Sequence, residues 1–204
     1  VGYPEIHQIT PSISVWLHYD SAVKADLFSS ALLTANGLYL VDPTPLPEGQ
    51  LSALFRTGQL SGVIVTNANH ARSAPAYSAR FSVPVFAQAD TFAELTGSEL
   101  REVRDGSLIP GDLTVVEIPG AARGEIAIHD ARNGGTLIVG DALINFEPYG
   151  FTFLPAKYCQ NEKRMRVSLR KLLDRPAQRL LFAHGTPISA HATDRLRQLI
   201  EQNA

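Results

Sequence analysis

Three ionisable residues follow apolar runs in this sequence. His70 comes after VIVT (63–66), in the stretch Asn67-Ala68-Asn69-His70-Ala71-Arg72; Asp141 comes after LIVG (137–140) and His184 after LLFA (180–183). Two imidazoles and a carboxylate are enough to hold one catalytic metal with an open coordination position. The same set can work without metal, a histidine oriented by Asp141 activating water or a substrate hydroxyl. A third reading leaves His70 a structural task, donating hydrogen bonds that hold its loop. Asn67, Asn69, Arg72 and Lys157 add neutral amides and cations, groups that bind a small polar or anionic ligand.

Asp141 needs an answer to its charge, because a carboxylate left unpaired at a buried strand end is costly. Arg72 in the histidine stretch and Lys157 at the start of a helical pattern are the two cations placed to give it. The expectation is an ion pair between Asp141 and one of them; the alternative is that both are solvated, as such residues usually are. Other candidates are weaker. His18 and His129 lie in strand patterns, His7 lies near a terminus, and His191 reads as a local cap or surface contact. Ser73 has no Gly-x-Ser-x-Gly turn around it and reads as a helix start. Gly120 and Gly124 read as turn residues.

For these residues to act together, strand ends must meet. SISVWLHYD (12–20), SALLTAN (30–36) and GLYLVD (37–42) read as strands, with Asn36-Gly37 as a hairpin signal between the last two. Pro43, Pro45 and Pro47 end this antiparallel meander, and a helix follows through Leu51, Leu54 and Phe55 with Gly58 as its stop. VIVT is a buried-type strand, ARSAPAYSARF a short helix broken or begun at Pro75, and VPVFA (83–87) a strand again. DLTVVEI (112–118), EIAIHD (125–130), TLIVGD (136–141) and LLFA complete the strands. The longest helical pattern follows Pro155, with Met165, Leu169, Leu172 and Leu173 on one face. ATDRLRQLIEQ is the last helix, N-capped by Thr193 or Asp194.

Strands in two batches, each followed by helices, predict two packed sheets flanked by helices, a four-layer αββα sandwich of the α/β class. Five loops then converge on one edge, bringing Asp42, residues 66–73, 119–121, Gly140-Asp141 and His184-Gly185. The segment EPYGFTFLPAKYCQNEKRMR carries Tyr149, Phe151, Phe153 and Tyr158 close after Asp141. These aromatics form an apolar ligand wall, a partner surface or part of the core. If the segment is exposed, a homodimer is its simplest use.

Composition narrows the function. The 204 residues and 45% hydrophobic content are read as a single domain over 1–204 with a real core. A formal charge of −2 gives no reason to expect nucleic acid or an anionic membrane as partner. The single cysteine, Cys159, excludes an internal disulfide and a thiolate zinc site, and reads as a small buried hydrophobe. With no apolar stretch of spanning length and no basic or apolar leader in VGYPEIHQITPS, the expectation is a soluble, cytoplasmic chain with no membrane partner.

The wording LYLVDP, VIVTNANHAR, IPGAARGEIAI, LIVGDALI and LFAHGTPI, in this order over roughly residues 12–200, resembles the metallo-β-lactamase superfamily. The resemblance implies its fold and a hydrolase ancestry. It also implies a register in which the family's ligand histidines fall on Asn67 and Asn69, its aspartate on Ala71, the next histidine on Arg72 and the Pro-Gly-His histidine on Ala121. Only Asp141 and His184 keep a ligand type. Amides, alanines and a guanidinium do not hold two zinc ions, so the preferred expectation is a protein without metal or other cofactor that binds a small polar or anionic ligand or a partner. The alternative is an atypical ester or thioester hydrolase using His70, Asp141 and His184 with one metal or none.

Overall fold

The computed structural model describes residues 5–203. The first sheet has seven strands in chain order: β1 (Ile6–Thr10), β2 (Ile13–Asp20), β3 (Ala25–Thr34), β4 (Gly37–Val41), β5 (Leu60–Ile64), β6 (Val85–Ala87) and β7 (Leu100–Glu102). Its first four strands are an antiparallel meander, the three expected strands with β1 added at the edge, and β4 through β7 run parallel. Helices α1 (Glu48–Phe55) and α2 (Ala74–Phe81) make two of these crossovers. Gly37 closes the β3–β4 hairpin at φ 108°, where any side chain would collide with Ser61.

The second sheet comprises β8 (Leu108–Ile109), β9 (Leu113–Glu117), β10 (Ile126–Asp130), β11 (Thr136–Val139) and β14 (Arg179–Phe182), in the order β14-β11-β10-β9-β8. A separate hairpin pairs β12 (Leu143–Phe146) with β13 (Gly150–Phe153). Helices α3 (Glu162–Leu169) and α4 (Ala192–Gln202) cover the outer face of the second sheet.

Alternation along the strands makes the layers. Leu38 and Leu40 of β4 pack outward with Leu51, Leu54 and Tyr77 of the helices, while Tyr39 and Val41 point inward. Leu137 and Val139 of β11 pack outward with Met165, Leu169 and Leu196, and Ile138 points inward. Both faces of these strands are buried, which is why they read as unbroken apolar runs. Three apolar cores therefore separate four layers, and the αββα expectation holds.

Several local expectations need correction. The segment after Pro155 breaks up: a 3-10 turn (Ala156–Tyr158), α3 and a second 3-10 turn (Arg170–Asp174), so the 11-residue α4 is longer. The residue before α4 is His191, in a left-handed conformation, rather than Thr193 or Asp194. The Thr193 hydroxyl is taken by the backbone of Ala177, at 2.8 and 3.1 Å, and is not free to cap. Ser73 precedes α2 without capping it. The aromatic segment divides between core and surface. Phe153 is buried and Phe151 half-buried, whereas Tyr149 and Tyr158 are exposed. Cys159 is half-buried, its sulfur 3.7 Å from that of Met165. Among the described residues no helix is long and apolar enough to cross a membrane.

Candidate functional site

The loops carrying Asp42, residues 66–73, Asp141 and His184 converge, whereas Gly120 and Ala121 pack against α3 and the core; the first fixed point is Asp42. It follows β4 at φ 47°, a left-handed geometry that aspartate tolerates better than most residues. There its carboxylate is buried and faces the end of β5. Oδ1 accepts the Thr66 N–H at 2.8 Å and Oδ2 the Thr66 hydroxyl at 2.5 Å. Oδ2 also lies 2.9 Å from Nδ1 of His70. Since Thr66 spends its one hydroxyl proton on Asp42, its oxygen can only accept from His70 Nδ1, 2.9 Å away. Nδ1 therefore carries a proton, and Nε2 is the end that faces the site.

The turn that delivers His70 is set by Asn67. Its Oδ1 accepts the N–H of Asn69 at 2.9 Å and caps a 3-10 turn over Ala68–His70. With Oδ1 engaged, Nδ2 points inward, donating to Glu125 Oε2 at 2.7 Å and to Asp141 Oδ2 at 3.2 Å. Asn69 Nδ2 reaches the same Asp141 oxygen at 3.1 Å. Glu125 accepts the Ala142 N–H on Oε1 at 3.0 Å.

His184 comes from the end of β14. Its carbonyl accepts the Asn145 N–H at 3.1 Å, and Asn145 in turn accepts from Thr186 N at 2.9 Å and donates from Nδ2 to Thr186 O at 2.7 Å. The β12–β13 hairpin is thus clasped to the His184 loop. The other oxygen of Asp141, Oδ1, lies 3.1 Å from His70 Nε2 and 3.3 Å from His184 Nε2, and the two Nε2 atoms are 3.3 Å apart.

Burial and charge set the protonation. Burial pushes the Asp141 carboxyl up, but His70 and His184 outweigh it and hold the group well below the carboxylate range. Asp42 is lowered too, burial being overcome by His70, Arg72 and Thr66. For His70, burial opposes the cation, yet Asp141 and Asp42 raise its pKa to about 9. Glu125, pressed by burial and by Asp141, is raised to about 8.

The expected ion pair of Asp141 with Arg72 or Lys157 does not form. The Arg72 guanidinium donates instead to main-chain carbonyls: Phe28 at 2.6 Å, Asp42 at 2.9 Å and Ala183 at 3.5 Å. Lys157 is exposed, its ammonium 4.6 Å above the Tyr158 ring. Asp141 is answered by two imidazoles and two amides, which are nearer and come from the loops that define the edge. The structure thus brings together His70, Asp141, His184, Asn67 and Asn69, places Arg72 beneath them and leaves Lys157 outside. Of the other histidines, His129 is buried with Nε2 3.1 Å from Pro176 O, His18 is half-buried, and His7 and His191 are exposed.

Sequence reasoning missed Glu125 and the part played by Asp42 and Thr66. The signal for Glu125 was an acid opening the apolar strand EIAIHD; for Asp42, an acid between an apolar strand and a proline.

Donor atoms bound to a tetrahedral ion at about 2.0–2.1 Å lie about 3.3 Å apart. The three contacts of 3.1–3.3 Å among His70, Asp141 and His184 match one face of such a shell. A second metal does not fit. Asn67 and Asn69 present N–H donors to Asp141, and Ala121, wholly buried, offers nothing. A cleft of about 420 Å³ opens beside His184, bounded by Tyr19, Lys24, Phe28, Phe146 and Glu147.

Residues 6–202 match a family model described as the metallo-beta-lactamase superfamily. No curated protein matches the sequence. Among solved structures, the DIM-1 metallo-beta-lactamase superimposes with a TM-score of 0.77 at 14% identity, covering 100% of this chain and 99% of that one. A metallo-beta-lactamase from Pontibacter korlensis gives 0.74 at 13% identity, with 97% and 99% covered. A protein solved in a di-iron-bound form gives 0.59 at 23% identity, with 84% and 92% covered. At these identities the likeness shows a shared fold.

Proposed function

The chain belongs to the metallo-β-lactamase superfamily, and from that premise we propose that it is an atypical hydrolase in which His70, Asp141 and His184 hold one divalent metal. The observation that carries this reading is the triangle of Nε2, Oδ1 and Nε2 atoms, 3.1–3.3 Å on a side. A divalent ion held there supplies Lewis acidity toward a substrate carbonyl.

The surrounding residues prepare that triangle. Asp42 and Thr66 keep the proton of His70 on Nδ1, which leaves the Nε2 lone pair for the site once the imidazole is neutral, an arrangement common behind metal-bound histidines. Asn67 and Asn69 occupy Oδ2 of Asp141 and leave Oδ1 to the histidines. His184 forms the wall toward the cleft. Substrate enters between Tyr19 and Phe146, which expose 58% and 40% of their surface at the mouth. One lysine against two acids, Lys24 against Asp26 and Glu147, lines that mouth. Together these features favour an uncharged ester or thioester with an apolar group over a carboxylate-bearing substrate.

A second reading has its own support. His70 is paired by Asp42 and Asp141 on both nitrogens, so the site is balanced without an ion and serves equally a ligand-binding protein that does no chemistry. Elemental analysis separates the two, on protein exposed to zinc, manganese and iron and then freed of loose ions. About one retained equivalent, lost in His70→Ala and His184→Ala, together with hydrolysis of neutral aryl esters or thioesters, supports the hydrolase. No retained metal and a melting temperature unmoved by ions or chelator supports the second reading.

A further inference from the structure

Behind Asp141 lies a second acid to which the hydrolase reading gives no task. Glu125 is 3% exposed and stands immediately before β10. Both groups facing its oxygens are donors: the Ala142 N–H at 3.0 Å on Oε1 and the Asn67 amide at 2.7 Å on Oε2. Ala142 is the residue after Asp141, and Asn67 Nδ2 is the group that also holds Asp141 Oδ2 at 3.2 Å. Glu125 therefore grips Asp141 twice, by the backbone that follows it and by the amide on its far oxygen. The grip needs close approach. A Cβ at Gly140 would lie 2.8 Å from both Asn67 Nδ2 and Glu125 Oε1 and 2.5 Å from Thr66 Oγ1.

We propose that Glu125 is the positioning residue of this site, holding Asp141 through Asn67 and Ala142 so that Oδ1 alone faces His70 and His184. Only a side chain with two acceptor oxygens can do this. Glutamine has the same shape, but it sets its NH2 against either the Asn67 amide or the Ala142 N–H, two donors facing each other. A protonated carboxyl still has an acceptor lone pair on each oxygen, so the acid meets this hydrogen-bond requirement with or without its proton, and glutamine does not. In this account Asn67, which stands where the family resemblance puts a ligand histidine, is the link in a support chain.

The metal arm of the test rests on the single-metal reading; the spectroscopic arm does not. Zinc affinity is measured by competition with a chromophoric chelator for the native protein, Glu125→Gln, Asn67→Ser and the double variant. Each single variant is expected to bind zinc about 10–100-fold more weakly, and the double variant to lose less than the two single losses combined, because both variants break the Glu125–Asn67 contact. In chelated protein, the imidazole 15N signals of His70 and His184 are expected to shift in Glu125→Gln as Asp141 turns. Zinc affinity within twofold of native in a Glu125→Gln that folds, additive losses in the double variant, or unshifted imidazole signals with only a lowered melting temperature would overturn the proposal. If the native protein takes up no zinc, the single-metal reading fails and the imidazole signals alone decide the role of Glu125. If Glu125→Gln does not fold, Asn67→Ser, which keeps a capping oxygen for the Ala68–His70 turn, cuts the same link and decides by the same readouts.

Discussion

Asp42 and His70 are joined by a 2.9 Å contact between Oδ2 and Nδ1, both side chains being almost wholly buried. The contact fixes which nitrogen of His70 looks into the site, and Thr66 reinforces it from the side.

Asp42→Asn tests that contact. The amide can turn its NH2 toward Nδ1 and favour the other tautomer, so any zinc affinity is expected to fall about 10–100-fold. Asp42→Ala, which leaves His70 and the Thr66 N–H without their partner, is expected to cost about 3–5 kcal/mol in denaturant unfolding. A native-like unfolding midpoint for Asp42→Ala would contradict the assignment.

The chelated protein is expected to lose stability as pH rises. His70 is raised from 6.5 to about 9 and Glu125 from 4.5 to about 8, so the folded chain keeps protons the unfolded chain has released. Stability from His70 is complete below 6.5 and gone above about 9; that from Glu125 is complete below 4.5 and gone above about 8. Asp42 and Asp141, both lowered, act oppositely and withdraw stability as pH falls through their depressed values. The melting temperature measured with chelator is therefore expected to peak on the mildly acidic side and fall by several degrees toward about pH 9. A flat profile over that range would contradict the charge arrangement.

Arg72 serves the scaffold. Its guanidinium meets carbonyls of β3, of Asp42 and of the residue after β14, so it ties the two sheets beneath the site. Arg72→Ala is expected to lower unfolding stability by about 2–4 kcal/mol, and Arg72→Lys to recover little, since one ammonium does not reproduce the fork. Loss of ligand or metal binding with unchanged stability would point instead to a direct binding role.

The mouth of the cleft makes a charge prediction. Glu147→Lys turns one lysine against two acids into two lysines against one. Aryl esters carrying a carboxylate are expected to gain several-fold in kcat/KM relative to neutral ones, the gain shrinking with added salt. Unchanged discrimination would place the substrate elsewhere.

The layers were readable because burial on both faces writes itself as apolar runs such as VIVT and LIVG, and the residues ending those runs had to meet at one edge. Asp141 and His184 stand at those ends, whereas His70 lies four residues past VIVT and is brought in by the turn that Asn67 caps. The partner of Asp141 was not legible, because opposite charge on a sequence carries no direction: Arg72 turns toward a carbonyl within β3 and those of the residues after β4 and β14, a contact no spacing encodes. Glu125 escaped notice because its task depends on a buried amide 58 positions earlier in the chain. The cap of α4 failed for a similar reason, Thr193 being claimed by Ala177 from another element.

The clasp of Asn145 around the His184 loop has a mechanical consequence. The hairpin bearing Phe146 and Glu147 is one wall of the cleft, and through Asn145 it is also the bracket on which His184 is mounted. Gly185, whose Cβ would lie 2.1 Å from the Asn145 carbonyl oxygen, leaves no slack in that joint. A guest seated against the hairpin therefore bears on the same backbone that carries the imidazole. Occupancy and alignment are the two ends of one lever.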